Sequence, residues 1–249
     1  MITRLMVLGL FQAAGGGGDG PGASAPNNHP FGVGESFQYS AKLGFLRLGT
    51  GTLQVAGLDT IRGVPSFVFR FQLEGGNALY RLNSVLESRT GIADLKSRQF
   101  VQDNDENGRV RFRRYDIFPD SGYYRMAGDD SVRATPSHPL DDASFLYFVR
   151  TIPLEVGKRY ELNYYFKKEK NPLVIRVEKR EQCELPDGSK PQCFVLQPVM
   201  GDRGIFEPRA EARLWITADE RRIPVQIRSK YRFGTVTLRL EKMTLAARG

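Results

Sequence analysis

Phe67-Val68-Phe69-Arg70-Phe71-Gln72-Leu73 sets an apolar side chain at every odd position. Successive side chains of an extended strand point to opposite faces, so this period of two marks a β-strand with one oily face. The pattern spreads outward from there. Phe37, Tyr39, Ala41 and Leu43 share one face of an earlier strand, and Leu48 to Val55 continues as a strand softened by Gly49 and Gly51, where the chain can bend. Asn77 to Ser88 predicts a short turn or helix and then a strand. Ser97–Asp103 and Arg109–Phe118 form a hairpin around Asn107-Gly108, a strong reversal signal. Gly128 to Pro139 reads as a loop. Further strands are expected over 159–168, 173–183, 193–199, 213–217, 223–227 and 235–245, about a dozen in all.

One segment breaks the alternation. Asp141 to Arg150 carries Phe145, Leu146, Phe148 and Val149 at helical spacing; Asp141 or Asp142 can cap it and Pro153 ends it. The expected fold is therefore all-β: a large antiparallel meandering sheet, curved into an open or half-closed barrel, with one amphipathic helix packed against it. Trp215 is expected to face inward, with Leu214 or Ile216 outward.

The chain has 249 residues and a formal charge of +8. Residues 1–14 combine Arg4 with the apolar run Leu5–Phe11 and small residues after it, a pattern that fits an export signal. Residues 15–29, rich in Gly, Ala, Pro and Asn, read as a flexible linker, and 30–246 as a single domain. Cys183 and Cys193 flank a Pro-Asp-Gly turn that would bring them face to face, and a disulfide there fits an oxidising bacterial periplasm. No later stretch reaches the roughly eighteen apolar residues of a membrane-spanning helix.

Catalytic machinery is thin. His29 and His138 are the two histidines, and neither sits at metal-ligand spacing. Asp141 and Asp142 are adjacent, but capping explains them better than acid–base work. No catalytic residue, metal or cofactor is assigned. Arg109-Val110-Arg111-Phe112-Arg113 places cations on one strand face, which reads first as a solvated face. The basic residues do not cluster for nucleic acid, which is excluded as a partner. An anionic membrane surface stays open.

Three stretches carry a family resemblance. They are Phe31-Gly32-Val33-Gly34-Glu35-Ser36-Phe37-Gln38-Tyr39 followed by Leu48-Gly49-Thr50-Gly51; Asp141 to Arg150 followed by Val156-Gly157-Lys158; and Leu214-Trp215-Ile216-Thr217-Ala218-Asp219-Glu220-Arg221-Arg222-Ile223-Pro224-Val225. In this order they resemble the bacterial domain-of-unknown-function 3108 family. The resemblance implies an exported, β-rich protein with no established activity. The last stretch is also similar to hairpins of periplasmic lipoprotein carriers, whose half-barrels hold acyl chains. Two roles follow as expectations. In the first, an envelope-associated binding protein shelters a lipid or amphipathic ligand between sheet and helix. Phe37, Phe69, Phe71, Phe145, Phe148 and Trp215 would then be cavity or core residues, with Arg150 gripping an anionic head group. In the second, the chain is a structural or interaction module of an envelope assembly, with a packed interior and strand edges that pair with a protein partner.

Overall fold

The computed structural model describes residues 29–76, 81–201, 206–232 and 234–246. The expected signal segment and nearly all of the linker lie outside the described residues, as do positions 77–80 of the segment read as turn or helix.

Among the described residues fourteen strands form one antiparallel sheet. The first eight are β1 (Ser36–Leu43), β2 (Leu46–Ile61), β3 (Val64–Gly76), β4 (Arg81–Gly91), β5 (Ser97–Glu106), β6 (Arg109–Phe118), β7 (Tyr123–Met126) and β8 (Val132–Ala134). The rest are β9 (Arg159–Leu162), β10 (Leu173–Gln182), β11 (Gln192–Val199), β12 (Arg213–Thr217), β13 (Pro224–Tyr231) and β14 (Gly234–Thr244). The order across the sheet is β8-β7-β6-β5-β4-β3-β2-β1-β14-β13-β12-β11-β10-β9. Every neighbour is a sequence neighbour except β1 and β14, whose pairing runs from Ser36 opposite Thr244 to Leu43 opposite Val236.

The sheet curls but does not close strand to strand. Between its two ends runs a strap: Leu140 bridges Tyr165, its N–H donates to the Tyr164 carbonyl at 2.6 Å, and its carbonyl accepts from Phe166 N–H at 2.9 Å. Glycine permits the bend. Gly49 lies opposite Gly75 on β3, and a Cβ at Gly49 would stand 1.9 Å from the Glu74 carbonyl oxygen. Only a residue without a side chain allows strands that close.

The predicted alternation holds for β1 and β3: Phe37, Tyr39, Phe67, Phe69 and Phe71 are all buried. Burial is uneven along the strands, however. The core fills the end of the curl where Phe31 to Glu35 enter, and the other end is thinly covered. In β6 the run 109–114 is exposed, while Tyr115 and Ile117 are buried. The β5–β6 hairpin turns at Asn107 and Gly108, both at positive φ (54° and 79°), as Asn-Gly requires in a tight reversal.

Four expectations need correction. The helix is a single turn, α1 (Phe145–Phe148), inside a run of turns that begins at Asp141. Ala143 to Arg150 are all buried, so the segment has no solvent face and is not amphipathic; it plugs the core. Trp215 is half-buried at the margin of the core and turned toward the outer face, while Leu214 and Ile216 on either side of it are fully buried. Gly128–Pro139 is not all loop, since β8 adds three residues to the sheet edge. The stretch 159–168 yields a strand only as far as Leu162.

Cys183 and Cys193 form a disulfide with Cα atoms 5.8 Å apart. It clamps the base of the Pro-Asp-Gly loop, where Gly188 takes φ 82° and Leu185 packs into the core.

Candidate functional site

All the residues nominated from the sequence except Trp215 gather in the core. Phe37, Phe69 and Phe145 are sealed from solvent, and Phe71 and Phe148 nearly so. Phe69 stacks on Tyr147 of α1 with ring centroids 3.8 Å apart and planes 10° apart. Phe31 meets the same two rings edge-on at 5.6 and 5.1 Å. Helix and sheet are thus in ring-to-ring contact where a ligand would have lain.

Arg150 joins this mass from the plug. Its guanidinium is sealed from solvent and makes five hydrogen bonds. Two donate to Glu35, Nη1 to Oε1 at 2.6 Å and Nη2 to Oε2 at 2.9 Å. Three donate to the carbonyls of Pro30, Arg221 and Arg222. The carboxylate Arg150 grips is therefore the protein's own. Burial pushes the Glu35 pKa up, while the hydrogen bonds and charge of Arg150 pull it back. One cation fastens three separate segments: the chain entry, the plug and the β12–β13 turn. Glu35 was missed in the sequence, yet a signal was there. It has the same parity as Phe37 and Tyr39, and so faces inward, where a carboxylate needs a buried partner.

Asp141 does cap the turn. Its Oδ1 accepts from the N–H groups of Ala143 and Ser144 at 2.9 Å each, and its Oδ2 accepts from Ser88 Oγ at 2.5 Å. Burial raises its carboxyl to about 6, against the hydrogen bonds that lower it. Burial, then the charge of Asp141, raises Asp142 to about 7, although Lys167 and a 3.3 Å bond from Tyr165 Oη oppose this. Both carboxyls hold a proton more readily folded than unfolded. Their contribution to stability is thus intact below the ordinary Asp range and declines as pH rises from about 4 to about 7. Asp142→Asn is expected to flatten this slope and to raise the denaturation midpoint near pH 8. Urea melts across that range test it, and an unchanged slope would show that Asp142 is well solvated.

The two histidines also have structural places. His29 stacks on Phe31 at 5.2 Å, with its Nε2 at 3.0 Å from the Ile92 carbonyl, so the last expected linker residue is packed on the core. His138 stacks on Tyr164 at 4.6 Å.

A groove of about 340 Å³ opens on the outer face between the disulfide loop and β12–β14. Trp215 lines it, and its indole N–H donates to Glu181 Oε1 at 2.6 Å. The groove's two carboxylates are paired, Glu181 with Lys179 and Glu184 with Arg239 at 2.7 Å, and Lys190 lines it as well.

The exposed part of β6 is different. β7 covers β6 only from Tyr115 to Phe118, with one further bond from Ala127 N–H to the Arg114 carbonyl. Over Arg109–Arg113 no strand among the described residues pairs with its outer edge. Arg113 and Arg111 share the face of buried Tyr115 and stand opposite Gln102 and Asn104, not carboxylates. Neither forms an ion pair among the described residues. Val110 and Phe112, on the opposite face, are 67% and 62% exposed. An open backbone edge thus carries cations on one side and apolar groups on the other.

The family model described as "Protein of unknown function (DUF3108)" matches residues 38–241. The chain belongs to the DUF3108 family. This match takes in nearly the whole sheet but stops short of Glu35 and Phe37. Among solved structures, the DUF3108 fold is similar to a "Beta-barrel-like Protein of Domain of Unknown Function DUF1849 from Brucella abortus". The TM-score is 0.56 at 11% identity, covering 86% of this chain and 98% of the other. That likeness concerns the fold alone. No curated protein matches.

Proposed function

We propose that this DUF3108 protein is an exported, envelope-associated interaction module that binds an extended acidic segment of a partner protein along the free edge of β6. The open edge beside Arg111 and Arg113 carries this reading. Main-chain groups of an unpaired strand recruit another strand by edge addition, and alternate side chains supply selectivity. An incoming strand with carboxylates on one face and apolar residues on the other would match the arginines and Val110 with Phe112. A second copy of β6 would bring arginine against arginine, which disfavours self-pairing. The ring contact between Phe69 and Tyr147 supports a module without an internal ligand cavity. The disulfide and the family support placement in the bacterial periplasm.

The test is a photo-crosslinker at Val110 in living cells, with an equivalent probe at exposed Arg159 on β9 as the control. The Val110 probe is expected to capture one protein, and Arg111→Glu with Arg113→Glu to cut that capture about tenfold or more. Equal labelling from both positions, or capture untouched by the charge reversals, would refute the reading.

A further inference from the structure

The β1–β2 hairpin ends in the tightest reversal available. Leu43 pairs with Leu46, so the turn is Gly44-Phe45, and Gly44 takes the positive φ (58°) that the first central position demands. The second position of such a turn ordinarily takes Asn, Asp or Ser. Here it holds phenylalanine, 92% exposed, followed by Leu46 at 56% and Leu48 at 38%. Phe45 stands almost wholly clear of the described residues, and the two leucines are partly clear of them.

Cations surround the tip. Lys42 is exposed and has no ion pair among the described residues. Arg47 is paired with Glu241 at 3.1 Å. Gly44 N–H donates to the Thr235 carbonyl, which draws in the β13–β14 end with Arg232 and with Lys230, itself paired to Glu211 at 3.4 Å. Glu74, on β3 opposite Thr50, is the next carboxylate along the sheet. The balance is positive, as it is for the chain.

We propose that this tip is a peripheral membrane anchor, with Phe45 and its two leucines entering the headgroup region of an anionic bilayer and Lys42 with Arg232 facing lipid phosphates. A thin hairpin apex offers far less than the roughly 1,000 Å² of a stable protein interface. One exposed aromatic with flanking cations does suit a bilayer surface, where apolar burial and attraction to anionic lipid add together. The site is separate from the β6 edge and needs only a protein with access to a membrane.

The test is flotation of the full chain with vesicles of phosphatidylglycerol and phosphatidylcholine, against vesicles of phosphatidylcholine alone. Binding is expected to need phosphatidylglycerol, to weaken in high salt, and to fall about tenfold with Phe45→Ser and several-fold with Lys42→Glu. Phe45→Trp should restore it and show a blue-shifted emission on vesicles. Phe45→Ser should leave both the unfolding midpoint and capture at Val110 unchanged, which separates this site from the proposed partner edge. Failure of the wild type to float would overturn the proposal, as would a Phe45→Ser chain that floats equally well. So would Phe45-dependent self-association in sedimentation, since a second copy would then be what covers the tip.

Discussion

Arg150→Ala is expected to lower unfolding free energy by about 3–5 kcal/mol, a large share of the ~5–15 kcal/mol that holds a typical domain together. The substitution leaves Glu35 buried without its counter-charge and strips a donor from the carbonyls of Pro30, Arg221 and Arg222. The loss comes mainly from these abandoned groups, because an intact buried ion pair offsets its own desolvation only in part. Replacing both partners by apolar residues, Glu35→Leu with Arg150→Met, should therefore recover part of the loss. It should not recover all of it, because the three carbonyls remain unpaired. Urea unfolding of Glu35→Leu, of Arg150→Met and of the double variant gives the coupling directly. A loss below about 1 kcal/mol for Arg150→Ala would mean that water reaches the pair, as it does for surface salt bridges.

Phe69→Ala is the second large effect, expected at about 3–5 kcal/mol. Its ring is sealed from solvent between Tyr147, Phe67 and Phe31, with centroids at 3.8, 5.4 and 5.6 Å. Those neighbours belong to the plug, the same strand and the chain entry, so they cannot all close on the space left behind. Phe112→Ala, at an exposed position of the same sheet, should change stability by no more than about 0.5 kcal/mol. Comparable losses at the two sites would show that the interior is looser than the ring stack implies.

Much of this fold is written in side-chain period. Phe37-x-Tyr39 and Phe67-x-Phe69-x-Phe71 reveal both strand and facing, since the aromatic rings recur at odd positions. Asn107-Gly108 gives its turn because few residues accept two successive positive φ values. The reading fails where both neighbours are apolar. Leu214-Trp215-Ile216 has no unique phase, and the aliphatic pair went inward while the indole found Glu181 outside. It fails again at Asp141–Arg150, where helical spacing predicted an amphipathic helix, with a wet face, that would plug or cover the sheet. Whether such a segment lies over a sheet or inside it depends on how far the sheet curls, which no local pattern encodes. The β6 edge was visible as alternating Arg and apolar residues. That β7 stops at Tyr123–Met126 and leaves the edge bare is a matter of tertiary register.

The pairing of β1 with β14 has a consequence for how the chain matures. All the other ladders join neighbours in the sequence and can form as local meanders, at small cost in chain entropy. The β1–β14 seam links the opening strand to the final one, so it must wait until almost the whole polypeptide is available. Until then β1 has a partner on one side only, and two half-sheets exist without a common core. A protein threaded through a membrane from its N-terminus would thus spend its transit as two unjoined halves, completed by the last strand to arrive.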